Sequence, residues 1–312
     1  MTVAWDDELD AILAGDLTGG LGYRTPAGGV VVQAVAPIGL RDRAAGTIGF
    51  TTSLGFSKKL ERIARDPRVA MAFHAREHGF AADAPQYVLV QGRAEVVAEP
   101  SAEQRDEILE RSTRYLGKPA SGPFWDRWLR EYYDVRVPVR IAVERIVVWP
   151  DLRCAGSQRV VGAPAAAAPA PQKPPKNGTG PRVKMQRAGR RVRGSEHVLL
   201  GFGGADGFPV VVPVRVEHVD ERGMRLGCDV ALPQGGRRAG LLGHSYRPKL
   251  VGLTTRQYTG WLEVGADGRA LYAPHTETGY VAPPNKTLLL LLNGGLAKKG
   301  VRTARKAAAA GG

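Results

Sequence analysis

The sequence predicts a mainly β protein with some helix (α+β): two six-stranded Greek-key barrels in tandem, joined by a disordered linker. Three observations predict it. Strand-like runs outnumber helical ones in residues 1–150, residues 151–195 are Pro/Ala-rich without a hydrophobic period, and residues 196–300 repeat the order of features of the first unit. Residues 301–312 form a basic tail read as disordered.

Asp6 to Leu13 is a short helix, since Leu9, Ile12 and Leu13 share a face. Leu17 to Arg24 and Val30 to Pro37 are a strand pair turning through Pro26-Ala27-Gly28-Gly29. A basic cluster, Arg41 and Arg43, precedes the stretch that organises the unit, GFTTSLGFSKKLERIARDPRVAMAFH from Gly49 to His74. It reads as a strand to Ser53, a helix opened by Ser57 with Leu60, Ile63 and Ala64 on one face, an Asp66-Pro67 turn, and a strand from Val69. Tyr87 to Val97 alternates as a strand and carries a bend or bulge at Gly92. Ser101 with Gln104 makes a capping box for a helix to about Leu116. Phe124 to Tyr132 is a second helix, whose Trp125, Trp128, Leu129 and Tyr132 read as core packing, and Val139 to Trp149 closes the unit as a strand.

In the second unit, LLGFGGADGFPVVVPVRVEHV from Leu199 matches LGYRTPAGGVVVQAVAPIGL from Leu21: a Leu-Gly-aromatic strand, a Gly-rich turn and a Val-rich strand. The next stretch sets Gly-Arg237-Arg238 against Ser-Lys58-Lys59 and Arg247-Pro248 against Asp66-Pro67, and TRQYTGWLEV against YVLVQGRAEVV. GFGGADG at 201–207 is a hairpin turn and not a nucleotide fingerprint.

The start of the Ser57 helix offers anion capture. Unpaired N–H groups and the helix dipole meet Lys58 and Lys59 there, with the hydroxyls of Thr51, Thr52, Ser53 and Ser57 in reach. First-turn lysines and a Thr-Thr-Ser strand end are equally common on ordinary surfaces, so the pattern alone leaves both readings open. The run T-T-S-x-x-x-S-K-K-L-x-R-I-x-R-D-P-R-V-A resembles the pyridoxamine 5′-phosphate oxidase-like split β-barrel family, including its actinobacterial deazaflavin-dependent branch. The closing strand R-I-x-V-E-R-I-V-V-W-P is similar to that family's last strand.

The resemblance implies two FMN-binding-type split β-barrels, with FMN or a deazaflavin coenzyme of the F420 type as cofactor. It implies an oxidoreductase that moves two electrons as hydride to or from a small-molecule substrate. It places Lys58, Lys59 and Ser57 on the phosphate, Thr51, Thr52 and Ser53 on the ring or ribityl chain, and Arg24 at the strand end as a further contact; no catalytic acid or base is assigned. Such proteins work as dimers, so fused copies imply an intrachain pseudo-dimer or a homodimer. The family also resembles haem-binding and haem-degrading split barrels, which would need His74 or His78 as ligand. A third reading is a non-catalytic cofactor-binding module with a polyanion-binding linker.

Charge bears on that last reading. Of 44 Lys and Arg, ten lie in residues 152–195 and six in 278–312, neither stretch holding Asp or Glu; those sixteen removed, 28 basic residues stand against 30 acidic ones. The basicity is therefore assigned to linker and tail and not to a folded face, with at most weak, non-specific binding of nucleic acid or anionic surfaces. No metal site is expected: Cys154 and Cys228 are isolated, and the four-residue spacing of His74 and His78 does not chelate from a strand. No run is long enough to span a bilayer, Leu288 to Leu292 having the length of a buried strand, and the acidic first residues lack the pattern of a signal peptide, which predicts a cytoplasmic protein.

Overall fold

The structure, a computed structural model, describes residues 2–53, 57–81, 83–134, 136–292, 294–295 and 298. The tail at 301–312 lies outside the described residues. Helix α1 (Asp7–Gly15) is capped by Asp6, whose side chain accepts from the Leu9 N–H. Strands β1 (Gly19–Arg24) and β2 (Val30–Val35) follow, then β3 (Arg41–Asp42), β4 (Thr47–Ser53), α2 (Ser57–Arg65), β5 (Arg68–Phe73) and β6 (Tyr87–Val96). Helix α3 (Ala102–Leu116) opens with the capping box, Gln104 N donating to Ser101 Oγ at 3.3 Å and Ser101 N to Gln104 Oε1 at 3.0 Å. Helix α4 (Pro123–Asp134) leads to the long strand β7 (Arg136–Trp149), which pairs with β8 (Arg159–Gly162). The second unit holds α5 (Met185–Arg193), β9 (His197–Gly203), β10 (Pro209–Pro213), β11 (Arg215–Asp220), β12 (Gly223–Gly227), β13 (Gly235–Ser245), β14 (Thr254–Val264) and β15 (Ala270–Val281).

Two antiparallel sheets result, and they share one plan. The first runs β2-β1-β5-β6-β7-β4-β3 and the second β10-β9-β13-β14-β15-β12-β11, each strand replaced by its counterpart. These are two split β-barrels in tandem. Register is shared as well: β1 meets β5 through Leu21↔Met71 and Gly22↔Ala70, and β9 meets β13 through Leu200↔Leu241 and Gly201↔Gly240. Gly92 in β6 and Gly260 in β14 sit at matching bulges, where an added Cβ would strike the carbonyl of Ala142 or Ala273 across the ladder.

This register corrects the expected alignment in two places, one being that Arg247-Pro248 follows β13 whereas Asp66-Pro67 precedes its counterpart β5. Arg238, paired with Trp261, stands where Arg68 stands opposite Arg93, so the Arg237-Arg238 pair does not replace Lys58-Lys59. Nothing in the second unit replaces α2, because β12 passes to β13 through residues 228–234, which form no helix. The Asp229-Val230-Ala231-Leu232-Pro233 stretch is too short and too close to its proline to build one.

Three apolar cores follow from strand alternation. In β5, Val69, Met71 and Phe73 fill the first barrel, while Ala70 and Ala72 point outward into a second core. That second core is the seam, where Val30, Val32, Tyr87 and Leu89 of the first unit meet Leu199, Val211 and Leu242 of the second. Both faces of these strands are buried, so they read as near-continuous apolar runs. The seam is approximately two-fold. A Cβ on Gly22 would lie 2.7 Å from Val211, and one on its counterpart Gly201 would strike Val32, the counterpart of Val211.

The stretch expected as a disordered linker is corrected at both ends. β8 belongs to the first sheet, and α5 packs Met185, Ala188 and Val192 into the second barrel's core. Between them, Gln172 bridges the units: its Nε2 donates to Gly28 O at 3.1 Å, and its Oε1 accepts from Arg238 N at 3.0 Å. A sequence without periodicity gains no regular structure here, yet side-chain amides still fasten it. Leu288 to Leu292, read as having the length of a buried strand, lie in a helical stretch over 286–292, with Leu288 54% exposed.

Candidate functional site

A cavity of ≈240 Å³ opens between the β1–β2 turn and the last turn of α2, lined by Arg24, Gly28, Arg62, Arg65 and Asp66. The amphipathic pattern of α2 creates it. Ile63 is fully buried in the first core, which leaves Arg62 and Arg65 on the flank beside the end of β1. Arg24 is held by Gly207 O at 3.1 Å and by Asp66 Oδ2 at 3.4 Å. Asp66 also accepts from Arg68 Nε and Nη2, both at 2.8 Å, and the Arg68 guanidinium holds its carboxyl below the usual range. Its charge is thus shared by two guanidinium groups. The turn is fixed by Gly28, whose φ of +79° suits glycine and whose N–H reaches Thr25 O at 2.9 Å. The second barrel contributes Gly207 O, which holds the Arg24 guanidinium, while the lining itself comes from the first unit.

The expected site residues divide between two places. Of those residues Arg24 alone lines the cavity, beside Arg62 of α2. Thr51 and Thr52 are 7% and 5% exposed on β4, and Thr51 Oγ1 accepts from Arg136 Nη1 at 3.3 Å. Ser53 is half-buried at the strand end. Lys58 is exposed, whereas Lys59 is buried with Nζ 5.4 Å from the centre of the Phe50 ring. Burial lowers the Lys59 pKa to about 7. The side chain of Ser57 lies outside the described residues. Lys58 and Lys59 open α2 and Arg62 and Arg65 close it, so a helical rise of about 1.5 Å per residue separates the two groups along the axis.

The letters do not show a second gathering, of histidines, at the seam. His74 Nε2 and His244 Nε2 lie 2.8 Å apart, and the ring of His197 stands 5.4 Å and 5.1 Å from theirs, centre to centre. In the shared register His74 and His244 are counterparts, so the pair is one position meeting its own copy across the two-fold. Aligning by strand pairs instead of basic pairs finds it. His197 reaches Glu77 Oε2 at 3.3 Å, and Tyr246 Oη donates to Glu77 O at 3.2 Å. His74 spends its Nε2 on His244, which leaves it engaged where the haem reading needs a ligand. Among the described residues no three His, Cys, Asp or Glu side chains are placed to hold a metal ion, and no helix is long and apolar enough to cross a membrane.

No protein-family model and no curated protein matches the chain. Solved structures do. The conserved hypothetical protein Rv2991 of Mycobacterium tuberculosis is 24% identical over 49% of this chain and 88% of its own, with a TM-score of 0.36. A Clostridium acetobutylicum protein related to general stress protein 26, of the pyridoxinephosphate oxidase family, is 10% identical over 46% of this chain and 84% of its own, at 0.31. An F420 reductase is 20% identical over 44% of this chain and 94% of its own, at 0.31.

Proposed function

We propose that the first barrel binds the phosphate-bearing end of a flavin-type cofactor, FMN or a deazaflavin coenzyme, in the cavity of Arg24, Arg62 and Arg65. We further propose that the chain is an oxidoreductase acting on a small molecule. The observation that carries this reading is the convergence of three arginines, from the end of β1 and the last turn of α2, on one ≈240 Å³ cavity. Guanidinium forks match phosphate oxygens two at a time. The donor set fits such a group, and the volume fits its phosphate end, since cavities that enclose a whole drug-sized ligand run from about 300 Å³ upward. The resemblance of the β4–α2–β5 segment to cofactor-gripping segments of split-barrel flavoproteins supports a flavin-type cofactor in this barrel, although the residues that carry it, Ser57, Lys58 and Lys59, stand at the other end of α2.

Bound there, the flavin would supply the two-electron chemistry. The chain's own part is to orient and neutralise: Asp66 and Gly207 set the Arg24 fork, and Gln172 clamps the Gly28 turn from outside. Two barrels sharing the seam make the arrangement an intrachain pseudo-dimer in this proposal.

Titration of the purified protein with FMN and with the F420-type coenzyme, followed by absorption and fluorescence, tests it. Arg62→Ala is expected to weaken binding about 10- to 100-fold, the loss of one charged hydrogen-bonding group at about 1.5–3 kcal/mol. Lys58→Ala, at the other end of α2, is expected to change it less than about threefold. No saturable binding of either cofactor, or an equal loss in both variants, overturns the assignment.

A further inference from the structure

The basic residues of the inter-barrel segment are not all solvated tether. Helix α5 buries Met185, Ala188, Gly189 and Val192, and this face turns Arg187 and Arg191, one helical turn apart, to one side. There they meet Arg256 of β14 and Glu277, Thr278 and Gly279 of β15 around a cavity of ≈310 Å³. The sequence-based assignment of this charge to an unstructured stretch is therefore corrected: part of it forms one wall of a folded pocket.

Its geometry is set from two directions. Glu277 accepts from Arg191 Nη1 and, at 3.4 Å, from Tyr258 Oη, which fixes one guanidinium. Arg256 pairs across the ladder with Gly279, and its Nη1 donates to Thr255 O at 3.1 Å. A Cβ on Gly279 would strike that guanidinium nitrogen and come within 2.8 Å of Thr255 O. The glycine thus makes the space in which Arg256 lies over the strand. Three guanidinium groups against one carboxylate leave two positive charges, the complement of a doubly charged phosphate monoester.

We infer that this pocket is a second oxyanion site, in the second barrel, that takes the phosphate monoester group of a small ligand. Glu277 argues for a small ligand over a nucleic-acid strand, because it places a carboxylate where a chain of phosphodiesters would run. The inference is independent of the cofactor assignment.

Equilibrium dialysis of the full chain against labelled inorganic phosphate at low ionic strength tests it. Two sites are expected if both pockets bind, and one if the first-barrel assignment fails. The double variant Arg187→Gln/Arg256→Gln is expected to lose one site whichever applies, while Arg24→Gln/Arg62→Gln removes only the other. Arg187 is exposed, so the single variant Arg187→Gln leaves the fold intact and is expected to weaken the site about tenfold or more. Gly279→Ala keeps every charge and is expected to weaken it as well, which diffuse attraction to a basic surface would not do. An unchanged number of sites and affinity in Arg187→Gln/Arg256→Gln overturns the inference. So does displacement of phosphate by a single-stranded oligonucleotide at 100-fold lower concentration with steep salt dependence, which would mark a polymer-binding face.

Discussion

Arg76→Ala is expected to destabilise the protein by about 3–5 kcal/mol, the cost of leaving a buried charge without its partner. The Arg76 and Asp16 side chains are 5% and 0% exposed, with Nη1 donating to Asp16 Oδ2 at 2.5 Å. Arg76 also donates through Nε to Ala84 O at 3.0 Å and through Nη2 to Gln86 O, so one guanidinium closes the loop after β5 onto the chain entering β1. Asp16 Oδ1 has no hydrogen-bond partner, and burial raises the carboxyl to about 7 while Arg76 pulls the other way. Removing Arg76 raises it further, and the acid escapes by taking a proton. The loss measured by urea unfolding is therefore expected to be larger at pH 8 than at pH 6. Arg76→Met/Asp16→Leu, which removes both charges and keeps apolar volume, is expected to recover most of it. Equal losses at the two pH values would show that the ion pair is not the source of the effect.

The same region shows what could be read from the sequence and what could not. Local signals held where local physics decides. The Ser101–Gln104 box, the Gly92 bulge and the strand-helix-strand segment around α2 are each specified by a few neighbouring residues. The seam is specified by no neighbour. Ala70 and Ala72 look like the small members of an ordinary strand, and only a second barrel on the far side explains why β5 is apolar on both faces. Helix α5 was hidden differently. Met185, Ala188 and Val192 recur at helical spacing, but the prolines and arginines around them dominate the composition. The cavity lined by Arg24, Arg62 and Arg65 joins residues 24 and 62–66, and no local motif spans that separation. The segment that resembles a phosphate grip draws the eye to Ser57, Lys58 and Lys59 at the start of α2, whereas the cavity lies by the helix's last turn.

Lowering the pH from 6.5 to 4.5 is expected to cost about 3 kcal/mol of stability, and the histidine pair at the seam sets the sign. His74 Nδ1 lies 3.2 Å from Ala72 O and so carries the proton, leaving Nε2 to accept from His244 Nε2–H at 2.8 Å. His244 Nδ1 is then a bare lone pair, buried and without a hydrogen-bond partner. Both rings are neutral in the folded state. Burial and the neighbouring His197 lower His74 to about 3, and burial, His74 and His197 lower His244 well below its ordinary value.

Below about pH 6.5 the unfolded chain therefore binds two protons that the folded chain refuses, each worth about 1.4 kcal/mol per pH unit. Asp16 works the other way. Its raised value makes the folded chain bind a proton between about 7 and 3.8 that the unfolded chain does not, which cancels one histidine. One net proton remains over two pH units. Glu77, held down to about 2 chiefly by His197, adds a further loss only below its unfolded value of about 4.5, and Lys59, lowered to about 7, acts only above that pH. In His74→Asn/His244→Asn the histidine contribution disappears and Asp16 is left, so the slope is expected to reverse, with the variant gaining stability as the pH falls from 6.5 to 4.5. Unfolding midpoints at pH 6.5, 5.5 and 4.5 in both proteins decide it. A wild-type midpoint that does not fall, or a variant that falls in parallel with it, would mean that the seam histidines are charged when the barrels are docked.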